Sequence, residues 1–126
     1  MQLNHYRLLG NSGLRVSPIS LGAMTFGDGT GRNASRADSL AMLEHYATQG
    51  GNFIDTANIY NFGESEQIVG EFIQRDRSRF VVASKYTMGM VEGQPNASGN
   101  HRKTMRESVD ASLKRLDTDY IDLYWL

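Results

Sequence analysis

Asp55, Tyr60 and Lys85 bring a carboxylate, a phenol and an ammonium to the ends of short apolar runs. The runs are Phe53-Ile54-Asp55, the loop to Tyr60, and Phe80-Val81-Val82-Ala83-Ser84-Lys85. In a parallel α/β barrel such positions lie on the rim where chemistry is done. A free phenol, with a pKa of about 10, is a reluctant acid at neutral pH. A neighbouring ammonium stabilises the phenolate, and a carboxylate fixes the ammonium and limits the cost of burying it. The three together form a candidate proton-delivery device. Taken singly, a tyrosine after a strand is ordinarily a packed ring and a lysine at a strand end is ordinarily solvated. Their joint spacing is what singles them out.

The elements that must position them alternate in type. His5–Leu9 and Leu14–Val16 flank Gly10-Asn11-Ser12-Gly13, a hairpin signal. Ile19-Ser20-Leu21-Gly22 reads as a first buried strand, followed by a Gly-rich loop. Ser35 with Asp38 three residues on resembles a capping box. The helix it starts carries Leu40, Leu43 and Ala47 on one face and ends at Gly50-Gly51. Strands are expected near 19–22, 52–55, 80–84 and 120–125. Ser65–Gln74 forms a second helix, with Ile68, Val69, Phe72 and Ile73 as its stripe. Met105, Val109, Leu113 and Leu116 mark a third. Strand–helix alternation of this kind argues for βαβ units and a parallel sheet. Residues 86–101 lack periodicity and leave the same rim as Lys85, which places them to cover a substrate.

Composition narrows the function. The 126 residues carry a formal net charge of -1 and no basic run longer than Arg102-Lys103, which argues against a nucleic-acid partner. There is no cysteine, and His5, His45 and His101 are scattered, so neither thiolate chemistry nor a His/Cys metal cluster is expected. No run approaches a membrane span and no signal core opens the chain. The reading is a soluble, cytoplasmic protein.

At these positions the chain resembles the aldo-keto reductases, most closely a branch related to potassium-channel β subunits. The resemblance rests on Gly13-Leu14-Arg15-Val16-Ser17, Leu21-Gly22-Ala23-Met24-Thr25-Phe26-Gly27, and Gly51-Asn52-Phe53-Ile54-Asp55-Thr56-Ala57 with Tyr60. Gly63-Glu64-Ser65-Glu66, Ala83-Ser84-Lys85-Tyr86, and Ser112-Leu113-Lys114-Arg115-Leu116 leading to Tyr120-Ile121-Asp122-Leu123-Tyr124 complete it. It implies an α/β fold, a (β/α)8 TIM barrel closed at the bottom by an N-terminal β-hairpin. It also implies reduction of aldehydes or ketones by NADPH and a tetrad of Asp, Tyr, Lys and His. Three members map onto Asp55, Tyr60 and Lys85; the histidine is expected directly after Leu126.

A complete barrel needs ~250 residues, so residues 1–126 are expected to be the N-terminal half of one domain, inactive alone. The resemblance puts Asp55 and the backbone of Gly22, Ala23 and Met24 at the nicotinamide end of NADP(H). It assigns most other cofactor contacts to the second half. Tyr60 is then the proton donor to the carbonyl oxygen, Lys85 its activator and Asp55 the ion-pair partner. The alternative is a non-catalytic, cofactor-sensing regulatory subunit of the same fold.

Other residues carry lesser expectations. The six methionines read as mostly core, with Met24 and Phe26 placed to line the pocket. Trp125 suits core or substrate wall equally. Asn100 and His101 lie near the rim. Asn33-Ala34-Ser35 and Asn96-Ala97-Ser98 fit the glycosylation pattern, but without a signal peptide they read as ordinary surface.

Overall fold

A computed structural model of the chain describes residues 2–27 and 31–126. The expected Gly-rich loop after Phe26 falls partly outside them. Strands β1 (Arg7–Leu8) and β2 (Arg15–Val16) form the antiparallel hairpin, with Arg7 opposite Val16. Gly10, at φ 56°, makes its turn without a Cβ penalty. The Asn52 side chain ties the hairpin to the sheet. Its Oδ1 accepts from Ser17 N–H (2.8 Å) and Ser17 Oγ (3.0 Å), and its Nδ2 donates to the Arg15 carbonyl (3.0 Å).

Four strands, β3 (Leu21–Gly22), β4 (Phe53–Asp55), β5 (Val81–Lys85) and β6 (Leu123–Trp125), then pair in parallel in sequence order. Helices α1 (Arg36–Thr48), α2 (Glu64–Ile73) and α3 (Arg102–Leu116) connect them. Successive strand residues alternate faces. Ile54 and Val82, fully buried, therefore join Leu43, Ala47, Ile68, Val69, Phe72 and Leu116 in the core under the helices. Phe53, Asp55, Val81, Ala83, Lys85, Leu123 and Trp125 share the opposite face, where Trp125 is 41% exposed. This is half of an α/β barrel. Among the described residues no helix is long and apolar enough to cross a membrane.

The helix ends follow the sequence closely. Ser35 Oγ caps α1 by accepting from Asp38 N–H, as in a capping box, but Asp38 Oδ2 takes the Ser35 hydroxyl (2.8 Å) rather than a backbone N–H. Gly50, at φ 88°, lies just past the end of α1.

Several details differ from expectation. The strands are shorter than 19–22 and 120–125. Ile19 is 54% exposed. Before β6, side chains take backbone partners that a strand would use. Asp122 Oδ2 accepts the Val82 N–H (2.9 Å), and Arg77 Nη2 donates to the Tyr120 carbonyl (3.0 Å). Among the described residues the methionines are not the expected core: Met24, Met42, Met88 and Met105 are exposed, and Met90 is half-buried. On α3 the buried residues are Thr104, Ser112 and Leu116; Leu116 follows the expected stripe, Val109 and Leu113 are half-buried, and Met105 is exposed. A Cβ on Gly70 of α2 would lie 2.6 Å from the Leu116 carbonyl oxygen.

Candidate active site

Asp55 ends β4 and Lys85 ends β5, on one face of the sheet. Lys85 Nζ donates to Asp55 Oδ2 (2.7 Å), to the Thr56 carbonyl (2.8 Å) and to the Tyr60 hydroxyl oxygen (3.1 Å). Three donors thus meet three acceptors, which is all an ammonium can supply. The structure brings the three sequence-predicted residues together at the rim. The Asp55 and Lys85 side chains are 26% and 30% exposed, so the group is open to a small molecule without being fully solvated.

The segment after β4 is held from several sides. Thr56 N–H bonds to the Ala83 carbonyl (2.9 Å) and Asn58 N–H to the Lys85 carbonyl (3.2 Å). Buried Thr56 Oγ1 and Ser65 Oγ lie 2.8 Å apart, and Ser65 donates onward to the Ala23 carbonyl (2.7 Å). After Tyr60 the chain turns left-handed: Asn61 (φ 47°), Phe62 (φ 53°) and Gly63 (φ 92°). That conformation costs a non-glycine residue about 1–2 kcal/mol. Asn61 is secured by its side chain, which donates to the Phe26 carbonyl (2.5 Å) and accepts from Asn33 Nδ2 (2.7 Å). Phe62 is 88% exposed. The sequence signal for this turn was Asn before Phe-Gly, since Asn tolerates positive φ better than most residues.

The other expected site residues divide. Gly22 stands opposite Asp55 in register, and a Cβ placed on it would meet no atom within 4 Å. Met24 is 62% exposed. Ala23 is fully buried; its N–H bonds to the Asp55 carbonyl (2.8 Å) and its carbonyl accepts from Ser65. It offers neither surface nor a free donor to a cofactor. Phe26 is 1% exposed and belongs to the core, not to a pocket wall. Asn100 accepts from the Tyr86 hydroxyl (2.5 Å) and His101 caps α3, so both have structural partners. The 86–101 loop bonds to itself and to α3: Gly99 N–H to the Thr87 carbonyl, and Thr104 Oγ1 to the Asn96 carbonyl.

One buried network was not foreseen. Glu66, fully buried on α2, accepts from Arg115 Nε of α3 (2.6 Å) and from Ser84 Oγ of β5 (2.5 Å). It lies under the sheet from the Lys85 group and joins three elements. The only sequence clue was its place in Gly63-Glu64-Ser65-Glu66.

Residues 18–126 match the model of the Aldo/keto reductase family. Norsolorinic acid reductase of Aspergillus flavus is 44% identical over 135 residues, covering 98% of this chain and 35% of that protein. An aryl-alcohol dehydrogenase of Pestalotiopsis microspora is 40% identical, covering 98% of this chain and 35% of that protein. A solved structure of a putative aldo-keto reductase from Pseudomonas aeruginosa superposes with a TM-score of 0.80 at 35% identity, over 98% of this chain and 46% of that one. The holo form of an aldo-keto reductase from Bacillus halodurans gives 0.81 at 32% identity, over 94% and 38%. The chain spans about a third of the length of these curated relatives. It belongs to the aldo/keto reductase family.

Proposed function

We propose that this chain supplies the proton-donating part of the active site of an NADPH-dependent reductase of aldehydes or ketones. The reading is carried by one observation: a single ammonium, Lys85, bonded at once to Asp55 and to the Tyr60 hydroxyl. When bound, the reduced nicotinamide supplies a hydride to the carbonyl carbon. The C=O π pair moves to oxygen, and Tyr60 O–H gives that oxygen its proton. Lys85, donating to the Tyr60 oxygen, stabilises the charge the phenol acquires. Asp55 balances the Lys85 charge and fixes the ammonium between its three acceptors.

The open surface at Gly22, opposite Asp55, and exposed Met24 are the proposed contacts for the nicotinamide ring. A flat ring needs such a place, with no side chain on the strand it lies against. The names of the relatives, a reductase and an aryl-alcohol dehydrogenase, favour a carbonyl/alcohol pair. The reading carries a cytoplasmic location with it.

The test is Tyr60→Phe in the full-length protein that carries this chain, followed by NADPH oxidation with an aromatic aldehyde. The expected loss of turnover is about 100-fold or more, with cofactor affinity little changed. Retention of a tenth of the rate would remove Tyr60 as donor. An unmodified protein that binds NADPH but reduces no carbonyl would favour the regulatory alternative.

A further inference from the structure

We propose a second small-molecule site, separate from the Tyr60–Lys85 group, that takes a compact neutral alcohol or phenol. It is a cavity of about 380 Å³ between the 86–101 loop and one face of α3, from Thr104 to Arg115, within the size range of ligand pockets. None of Asp55, Tyr60 and Lys85 lines it. Met90 and Val91 of the loop and Ala111 of α3 give it apolar walls.

Two polar groups in its lining have unused capacity. Asn58 is only 4% exposed, yet its Oδ1 accepts no hydrogen bond among the described residues. Its Nδ2 makes only long bonds, 3.4 Å to the Tyr86 carbonyl and 3.5 Å to the Met88 carbonyl. Arg115 spends Nε on Glu66 and Nη2 on Ser112, which leaves Nη1 without a partner among the described residues. Neither atom is sealed away from solvent, so each is open to a ligand's polar group. A hydroxyl answers both demands, donating to the Asn58 oxygen and accepting from the Arg115 guanidinium.

The charges around the cavity exclude ions. Arg115 is already paired with fully buried Glu66, and Glu107, also in the lining, is paired with Lys103. An ionic ligand would therefore bring an unmatched charge into a partly desolvated site. A neutral molecule with an apolar body and one hydroxyl meets every feature of the lining. The Asn58 N–H also bonds to the Lys85 carbonyl, so an occupant would touch the segment between β4 and Tyr60.

Benzyl alcohol, benzoate and benzylammonium are the probes, titrated by NMR into the full-length protein that carries this chain. Benzyl alcohol is expected to bind saturably, about tenfold more tightly than either ion. Ala111→Phe fills the cavity and is expected to weaken it by at least about tenfold, while Tyr60→Phe leaves this binding unchanged. Circular dichroism and the thermal midpoint establish that both variants are folded. Val91→Phe, from the opposite wall, serves if Ala111→Phe is not folded. Binding unaffected by wall-filling in a folded variant would overturn the proposal, as would benzoate binding as tightly as the alcohol, or no saturable binding. Loss of benzyl alcohol in Tyr60→Phe but not in Ala111→Phe would locate the alcohol at the carbonyl site and leave the Tyr60 reading intact.

Discussion

Lys85 Nζ reaches Asp55 Oδ2 at 2.7 Å although the two residues are not cross-strand partners. Asp55 lies opposite Ala83, and Lys85 opposite Trp125. The lysine is therefore one same-face step beyond the aspartate and folds back to meet it. Ala83 between them has too short a side chain to obstruct the path. The ammonium lies over the Tyr60 ring, 4.7 Å from its centroid, as well as against its oxygen.

From this geometry follows the expected behaviour of Asp55→Asn. The amide keeps the shape but removes the charge that holds the ammonium. Carbonyl reduction in the full-length protein should fall by about tenfold or more, while folding stability changes by no more than about 1 kcal/mol, as for other partly exposed pairs. Steady-state kinetics and urea unfolding measure the two. A variant within twofold of the parental rate would show that Asp55 does not organise the site.

Tyr124 makes a prediction about pH. Its hydroxyl is buried without a hydrogen-bonding partner among the described residues, and its ring stacks on Tyr86 at 5.0 Å. Burial pushes the phenol up to about 12, against an opposing pull from Ser112. The folded chain therefore keeps this proton at pH values where the unfolded chain, titrating near 10, has lost it. That part of the stability is complete below about pH 10 and disappears as pH rises toward 12. Tyr124→Phe should remove this component of alkaline destabilisation. At neutral pH it should match or exceed the parent, because an unsatisfied buried hydroxyl is deleted. Unfolding curves at pH 7 and pH 11 decide it; an equal alkaline loss in both proteins refutes the assignment.

Much of the fold was legible because local signals agreed with one another. Ser35 with Asp38, Gly50 after α1, and the stripe Ile68, Val69, Phe72 and Ile73 each specify the same alternation. The three rim residues were legible because strand ends are where such chemistry is placed. What escaped depends on long-range pairing. Nothing in period or composition says that Arg77 reaches Asp122, Thr118 and the carbonyls of Phe80 and Tyr120. Nor does it say that Phe62 turns left-handed after Asn61, or that Phe26 enters the core while Met24 does not. On α3 the expected stripe held at Leu116, fully buried, and in part at Val109 and Leu113, but Met105 is exposed and Thr104 and Ser112 are buried without an apolar signal.

Glu66 should be the most sensitive charged residue for stability. It is fully buried, and removing it strands Arg115 and Ser84. Glu66→Ala is expected to destabilise the fold by about 3–5 kcal/mol, the penalty for breaking a buried pair from one side. Asp55→Asn, by contrast, should act mainly on rate. Chemical denaturation of the two variants side by side tests the contrast, and a Glu66→Ala loss below that of Asp55→Asn would contradict it.

Gly70 gives a case where two effects oppose. Inside a helix, alanine is favoured over glycine by about 1 kcal/mol. At Gly70, however, a Cβ would stand 2.6 Å from the Leu116 carbonyl oxygen and 2.8 Å from its Cα, both backbone atoms that cannot rotate away. α2 and α3 would have to separate. The separation would strain the Arg115–Glu66 bond and the fully buried Leu116 side chain. Overpacking of this kind costs about 1–3 kcal/mol or more, so Gly70→Ala should be destabilising despite its helix propensity. A thermal midpoint for Gly70→Ala at or above that of the parent would show that α2 and α3 are not held at this distance.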